Sequence, residues 1–183
     1  MLYLASKSPQ RANLLRQAGI PFTVVESSCD EDAIAAADPP ALALARAVGK
    51  ARGACGVPAG GLVLGADTVV ALGEEILGNP ADPDEAGAML ARLSGTRHRV
   101  CTGHCLRRLG GGEVGDVAVA VVEMRVLTPQ EIAAYAASGE GVGKAGGYAI
   151  QATADRFARL LSGDFDTVVG LHVAAVRRLM GMV

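Results

Sequence analysis

Three stretches of this chain place polar side chains at the edges of apolar runs. They are Leu4-Ala5-Ser6-Lys7-Ser8-Pro9-Gln10-Arg11, Leu64-Gly65-Ala66-Asp67-Thr68-Val69-Val70 and Gly143-Lys144-Ala145-Gly146-Gly147-Tyr148-Ala149-Ile150-Gln151. The first reads as a strand running into a helix N-terminus. Free backbone N–H groups and the positive end of the helix dipole make such a turn an anion site. Ser6 and Ser8 add hydroxyl donors, and Arg11 adds a planar guanidinium suited to phosphate. A helix capped by Ser8 with a solvated Arg11 is the plainer alternative.

Asp67 stands among Val63, Leu64, Val69 and Val70, in a run otherwise built for burial. A buried carboxylate costs several kcal/mol unless it is paired or binds a metal. Glu31, after Cys29-Asp30, offers a second carboxylate. Two separated carboxylates beside a phosphate site suit a divalent cation with oxygen ligands. Asp67 is then a candidate to orient or deprotonate water. An aspartate that merely caps a turn at a strand end remains the other reading.

Lys144 lies in a loop whose Gly141, Gly143, Gly146 and Gly147 let backbone approach a ligand closely. Gln151 presents an amide that can read a base edge, and a plain polar residue at a strand end is the other reading. Lys50 ends a helical stripe, where complementing the dipole is an equally good explanation. His98, His104 and His172 read as structural groups. Cys101-Thr102-Gly103-His104-Cys105 has a metal-like spacing but lacks a fourth ligand, so the cysteines read as small buried hydrophobes. No GxSxG nucleophile, Walker A or dinucleotide fingerprint occurs.

These residues need elements to position them. Leu2 to Ala5 reads as a strand, followed by a helix with Ser8 at its N-cap, Pro9 at its first position and Gly19 past its end. Phe22 to Val25 is a second strand. Pro39-Pro40 opens a helix that ends near Gly56-Val57-Pro58. Leu62 to Leu72 is a strand, and Glu74 to Leu77 completes a hairpin. Asp82-Pro83-Asp84-Glu85 and Thr128-Pro129-Gln130-Glu131 are capping boxes, with stops at Ser94-Gly95 and Gly139. Arg99 to Leu106 and Val114 to Val126 are long strands. Thr153 to Leu161 and Val168 to Met180 read as mostly helical. Mixing β-α units with consecutive strands predicts an α/β fold with a mixed sheet.

A length of 183 residues fits one domain over 1–183, and half the residues are hydrophobic, so the core is ample. With no Trp and three each of Phe and Tyr, that core must be aliphatic. A net charge of -2 excludes a general nucleic-acid binder, which would carry a basic face. The start of the chain does not read as a signal peptide, because Lys7 and Arg11 follow a short apolar strand. No apolar span reaches the ~18 residues of a membrane helix. A cytoplasmic protein without a membrane partner is the expectation.

The ordered motifs resemble the Maf family of nucleoside triphosphate pyrophosphatases over nearly the whole chain. Leu4 to Arg11 with Leu14-Leu15 is similar to the family's L-A-S-x-S-P-R-R opening. Asp30-Glu31 resembles its acidic pair, Lys50-Ala51 its K-A, and Gly65 to Val70 its G-A-D-T-V-V. Leu93-Ser94-Gly95 with His98-x-Val100-x-Thr102-Gly103 matches another motif, and Gly143 to Gln151 resembles G-K-A-G-x-Y-x-I-Q. The resemblance implies a two-lobed fold of the Maf and ITPase kind, with a curved mixed β-sheet flanked by helices and a cleft between lobes. It also implies a homodimer.

The implied activity is hydrolysis of a nucleoside triphosphate to the monophosphate and pyrophosphate. Asp67-Thr68 and Ile150-Gln151 favour the subgroup acting on dTTP and UTP, with modified nucleotides as further candidates. Asp67 is the implied general base, and Glu31 with Asp67 would engage Mg²⁺ or Mn²⁺. Ser6, Arg11, Lys50 and Lys144 would hold phosphates, while Gln10, Thr68 and Gln151 would shape base selection.

The chain departs from the pattern at Gln10, which replaces an arginine, and at Asn79, which replaces a lysine. Ala152 replaces a glycine, and Asp164-Phe165 and His172 replace a Ser-Tyr pair and a proline. A hydrogen bond to a charged group is worth roughly 1.5 to 3 kcal/mol, so losing two cations costs about 3 to 6 kcal/mol. These departures motivate a second reading: a catalytically impaired relative that binds nucleotide or a partner without turnover.

Overall fold

Local chemistry accounts for most of the elements in the computed structural model, which describes residues 1–183. β1 is Leu2–Ala5, and α1 is Pro9–Gln17 with Pro9 in its first turn. Ser8 Oγ accepts from the Arg11 N–H at 3.4 Å, and Gly19 takes φ +67° beyond the end. β2 (Phe22–Val24) precedes α2 (Pro39–Arg52), whose N-cap Asp38 accepts from the Ala41 N–H at 2.7 Å.

β3 (Leu62–Leu72) and β4 (Glu75–Leu77) form the expected hairpin, followed by α3 (Pro83–Leu93). β5 (Arg97–Arg108) and β6 (Glu113–Met124) are the long strands, and α4 (Pro129–Ser138) ends at left-handed Gly139. The last elements are β7 (Ala158–Ser162), α5 (Phe165–Val169) and α6 (Val173–Met180). None of these helices is long and apolar enough to cross a membrane.

Two sequence expectations need correction. Thr153 to Leu161 is not helical: a 3-10 turn at Thr153–Arg156 leads into β7. Ala158 to Ser162 pairs antiparallel with β6, whose outer edge would otherwise carry unpaired backbone groups. That tertiary partner overrides the weak helical spacing. The Asp82 cap is also only half a capping box. Asp82 accepts from the Glu85 N–H at 2.9 Å, but the Glu85 carboxylate accepts from Ala81 rather than from Asp82. The Thr128–Glu131 box is complete.

The seven strands form one mixed sheet in the order β2-β1-β3-β5-β6-β7, with β4 also on β3. β1 is parallel to β2 and β3, and every other pairing is antiparallel. Side chains alternate faces along β3 and β5. Val63, Val69, Cys101 and Cys105 pack beneath α2 with Ala43, Ala47 and Ala51. Leu64, Ala66 and Leu106 join Leu15, Val176 and Leu179 on the opposite face.

Burial is concentrated in two larger cores. One holds 12 residues around β1, α1 and α6, and the other holds 14 around α3, α4 and the far ends of β5 and β6. β3 and β5 run through both, and the cleft opens where the two halves meet.

Candidate active site

The cleft begins as a notch in the sheet. Along one edge of β3, β1 pairs only as far as Gly65, and β4 pairs only from Val70. Ala66 to Val69 therefore have no strand beside them on that edge. The neighbour of β3 also switches there from a parallel strand to an antiparallel one. Asp67 and Thr68 point to opposite faces, yet the notch opens both to the same space. A cleft of about 500 Å³ results, and Ser6, Gln10, Arg11, Glu31, Lys50, Asp67, Thr68, Lys144 and Gln151 all line it. The structure thus brings together these nine candidate catalytic, substrate-binding and metal-binding residues.

Two glycines set the height of α2 over this notch. A Cβ on Gly65 would lie 2.1 Å from Ala47 O, and one on Gly103 would lie 2.3 Å from Ala43 O. The helix backbone rests directly on the sheet, which lets Lys50 reach down to Asp67. Lys50 Nζ lies 2.7 Å from Asp67 Oδ1 and 2.7 Å from Glu31 Oε2. Lys50 and Asp67 are buried, and Glu31 is half-exposed. Lys50 therefore holds the two carboxylates, a placement its position near a helix C-terminus does not reveal. Asp67 Oδ2 is buried without a hydrogen-bond partner.

Arg11 forms the opposite wall. Its Nε donates to Gly170 O at 2.8 Å, Nη1 to Ser6 Oγ at 3.0 Å and Nη2 to Thr68 Oγ1 at 3.1 Å. Burial lowers its pKa from the ordinary value, while the charges of Asp67 and Glu31 oppose that shift. Gln10 is turned toward Ser8, whose hydroxyl donates to Gln10 Oε1 at 3.1 Å. Lys7 and Asn79 are exposed and also line the cleft. A second cavity of about 570 Å³ adjoins the first through Glu31, Asp67, Thr68 and Asn79, and adds Asp30, Asp32 and Arg46.

The third wall is the glycine-rich loop. Gly143 and Gly146 donate their N–H groups to Pro80 O and Gly78 O, at 2.8 and 3.0 Å. Both glycines have positive φ, as does Gly147. Lys144 Nζ donates to Glu140 O, and the Glu140 carboxylate accepts from the Thr153 N–H and hydroxyl at 3.1 and 2.7 Å. Tyr135 OH accepts from the Ala149 N–H at 3.0 Å. Ile150 is buried, but Gln151 is exposed at the rim with its amide free. Ala152 has φ -119°, so alanine is accommodated there without left-handed strain.

His98 and His104 serve the walls rather than the cleft. His98 Nε2 lies 2.7 Å from Tyr148 OH, and burial lowers its pKa to about 4. His104 Nε2 accepts from the His172 N–H at 2.9 Å, on the face of β5 away from Cys101 and Cys105. The metal-like spacing of that segment therefore splits across the sheet. His172 Nε2 lies 3.0 Å from Asp164 Oδ2, so these two departures from the family pattern meet each other.

Sequence reasoning missed the partners that aim Arg11. They are the Gly170 carbonyl and the pair Thr68–Thr102, where Thr102 Oγ1 lies 3.0 Å from Thr68 Oγ1. Thr102 carried a signal, as a threonine directly before Gly103 in a recurrent motif. A backbone carbonyl carries none.

The profile of the family described as Maf-like protein matches residues 1–183. A protein named dTTP/UTP pyrophosphatase from Symbiobacterium thermophilum is 45% identical over 170 residues, covering 93% of this chain and 87% of that one. Another of that name from Alcanivorax borkumensis is 44% identical over 186 residues, covering 98% and 94%. A protein named nucleoside triphosphate pyrophosphatase from Streptomyces avermitilis is 41% identical over 183 residues, covering 98% and 89%. End-to-end agreement with the family profile, at this level of identity to its relatives, means that the chain belongs to the Maf family.

Proposed function

We propose that this protein hydrolyses nucleoside triphosphates of the dTTP and UTP class to the monophosphate and pyrophosphate. The observation that carries this reading is the Glu31–Lys50–Asp67 arrangement, with Asp67 Oδ2 unpartnered at a cleft that also holds Lys7, Arg11 and Lys144. The names of the relatives support the same substrate class. The reading takes the whole chain as one Maf-like unit, acting on the cytoplasmic nucleotide pool.

In this reading, water attacks the α-phosphorus. Its oxygen bonds to phosphorus as the bond to the α,β-bridging oxygen breaks, and pyrophosphate leaves. Asp67 Oδ2 takes the proton from the water, while Lys50 fixes the other oxygen of that carboxylate. Arg11, Ser6, Lys7 and Lys144 surround the phosphates with donors and positive charge. Gln151 at the rim has one acceptor and one donor group, complementary to the imide edge of thymine or uracil. Gln10 and Thr68 complete the pocket wall.

The residues present fit a divalent cation. Glu31 and Asp67 are oxygen donors, and a buried carboxylate oxygen lacks a partner. A Mg²⁺ or Mn²⁺ held by Glu31 and Asp67 would shield charge on the phosphates.

A second reading, nucleotide binding without turnover, draws on Gln10 and Asn79, which line the cleft where the family pattern has cations. The deciding experiment is pyrophosphate release from a panel of nucleoside triphosphates with Mg²⁺ or Mn²⁺, for the wild type and Asp67→Asn. Turnover on dTTP or UTP that vanishes in the variant is the expected result. A wild type no faster than Asp67→Asn on every nucleotide would leave the binding reading in its place.

A further inference from the structure

We infer that Thr102 is a positioning residue: it fixes the proton direction of Thr68 and thereby aims the Arg11 guanidinium at the substrate's phosphates. The inference rests on reading the cleft as a triphosphate site.

Thr102 on β5 is fully buried and stands opposite Thr68 of β3 in register. Its hydroxyl donates to Thr167 O at 2.8 Å, because a carbonyl can only accept. A hydroxyl has one proton, so the 3.0 Å contact between Thr68 and Thr102 must be donated by Thr68. Arg11 Nη2 in turn donates to Thr68 Oγ1. The order is therefore Arg11 N–H to Thr68, Thr68 O–H to Thr102, and Thr102 O–H to the Thr167 carbonyl. Only one direction satisfies every group.

This direction has two consequences. Thr68 has spent its proton, so it faces the cleft only as an acceptor. Arg11 keeps its charge but commits three of its five N–H groups to Gly170, Ser6 and Thr68. One N–H on each terminal nitrogen is left for phosphate oxygens. Both anchors end on the same short segment, since Thr167 lies in α5 and Gly170 directly follows it. Gly170 has φ +122°, and a Cβ there would lie 3.3 Å from Thr68 Oγ1 and 3.5 Å from Arg11 Nε. The C-terminal part of the chain thus sets the aim of an arginine in the first helix.

Without the Thr102 hydroxyl, the Thr68 proton loses its acceptor and can turn toward the Arg11 N–H, donor against donor. The test is Thr102→Val, which keeps the shape of the side chain and removes the hydroxyl. We expect KM for dTTP or UTP to rise roughly ten-fold with kcat within about two-fold of wild type, as loss of one hydrogen bond to a charged group implies. Thr102→Ser restores the donor and should restore KM. The double variant Thr68→Val/Thr102→Val should be no worse than Thr68→Val alone, because both act along one path.

If Thr102→Val does not fold, Thr102→Cys, a weaker donor of similar size, should give an intermediate KM. Calorimetric affinity for an α,β-imido dUTP should follow the same order as KM. A thermal midpoint that falls in Thr102→Val while KM and analogue affinity stay at wild-type values would overturn the inference and leave Thr102 purely structural. Equal, additive effects of the two valines would overturn it as well. A wild type that neither binds the analogue nor turns over any nucleotide would remove the triphosphate reading and this inference together.

Discussion

Lys50 Nζ sits 2.7 Å from Asp67 Oδ1, at the one place where β3 lacks a neighbour on its edge. The same ammonium also holds Glu31 at 2.7 Å. One cation thus joins a helix, a strand and a loop, and leaves Asp67 Oδ2 buried without a partner beside the cleft. Lys50→Met should separate these effects. Removing one partner of a buried pair costs about 3 to 5 kcal/mol, because the other charge stays buried. We expect a lower urea midpoint and a loss of pyrophosphate release of at least about a hundred-fold. A Lys50→Met protein with wild-type turnover would dissociate the ammonium from the chemistry.

Gly65 permits that contact by letting α2 lie on the sheet. In Gly65→Ala the new Cβ meets Ala47 O at 2.1 Å, and the obstacle is backbone, which cannot swing aside. Overpacking of this kind costs typically about 1 to 3 kcal/mol. Because Ala47 is one turn before Lys50, lifting the helix should also weaken turnover. Gly112→Ala is the control, since its Cβ meets only Val183 Cγ1 at 4.0 Å. Thermal unfolding and kcat should both fall in the first variant and hold in the second.

His98 makes stability depend on pH. Burial lowers its pKa from 6.5 to about 4, so the unfolded chain binds more protons between those values. The contribution is complete above pH 6.5 and is lost as pH falls toward 4. Lowering the pH from 7.5 to 5 should cost about 2 kcal/mol through this residue. His98→Gln, which cannot titrate, should have a shallower fall in urea midpoint over that interval. Parallel curves for the two proteins would show that the His98–Tyr148 contact holds a different protonation state.

Gln10 and Asn79 define a cation deficit that can be refilled. Both line the cleft, and Asn79 lies in the segment that accepts hydrogen bonds from the Lys144 loop. Gln10→Arg with Asn79→Lys should lower KM for dTTP or UTP by roughly a hundred-fold at low salt, the lower end of the about 3 to 6 kcal/mol set by two charged hydrogen bonds. The gain should shrink as salt is raised, since both positions are near solvent. Unchanged KM at low salt would show that Lys7, Arg11 and Lys144 already satisfy the phosphates.

Much of this protein was legible in its sequence because the signals are local. Ser8-Pro9 and Thr128-Pro129 specify helix starts through a side-chain acceptor and a preset φ, Pro39-Pro40 does so through φ alone, and the structure has a helix at each. The β3–β4 hairpin and the long β5 and β6 strands follow from apolar runs bounded by glycine. The site residues were legible as types, because a carboxylate, a lysine or an arginine beside an apolar run demands a partner. Their convergence on one cleft followed from family resemblance, not from spacing.

What only the tertiary structure decided lies in relations between distant segments. Thr153 to Leu161 became a turn and an edge strand because β6 had an edge to fill, and no local spacing encodes a neighbour's open edge. Lys50 became the holder of two carboxylates, because glycine contacts lowered α2 onto β3. Arg11 in the first helix is aimed by Thr68, Thr102 and the carbonyls of Thr167 and Gly170, which are spread from β3 to the turn before α6. Sequence states which groups need hydrogen bonds. Only packing chooses the partner, and with it the direction in which each proton points.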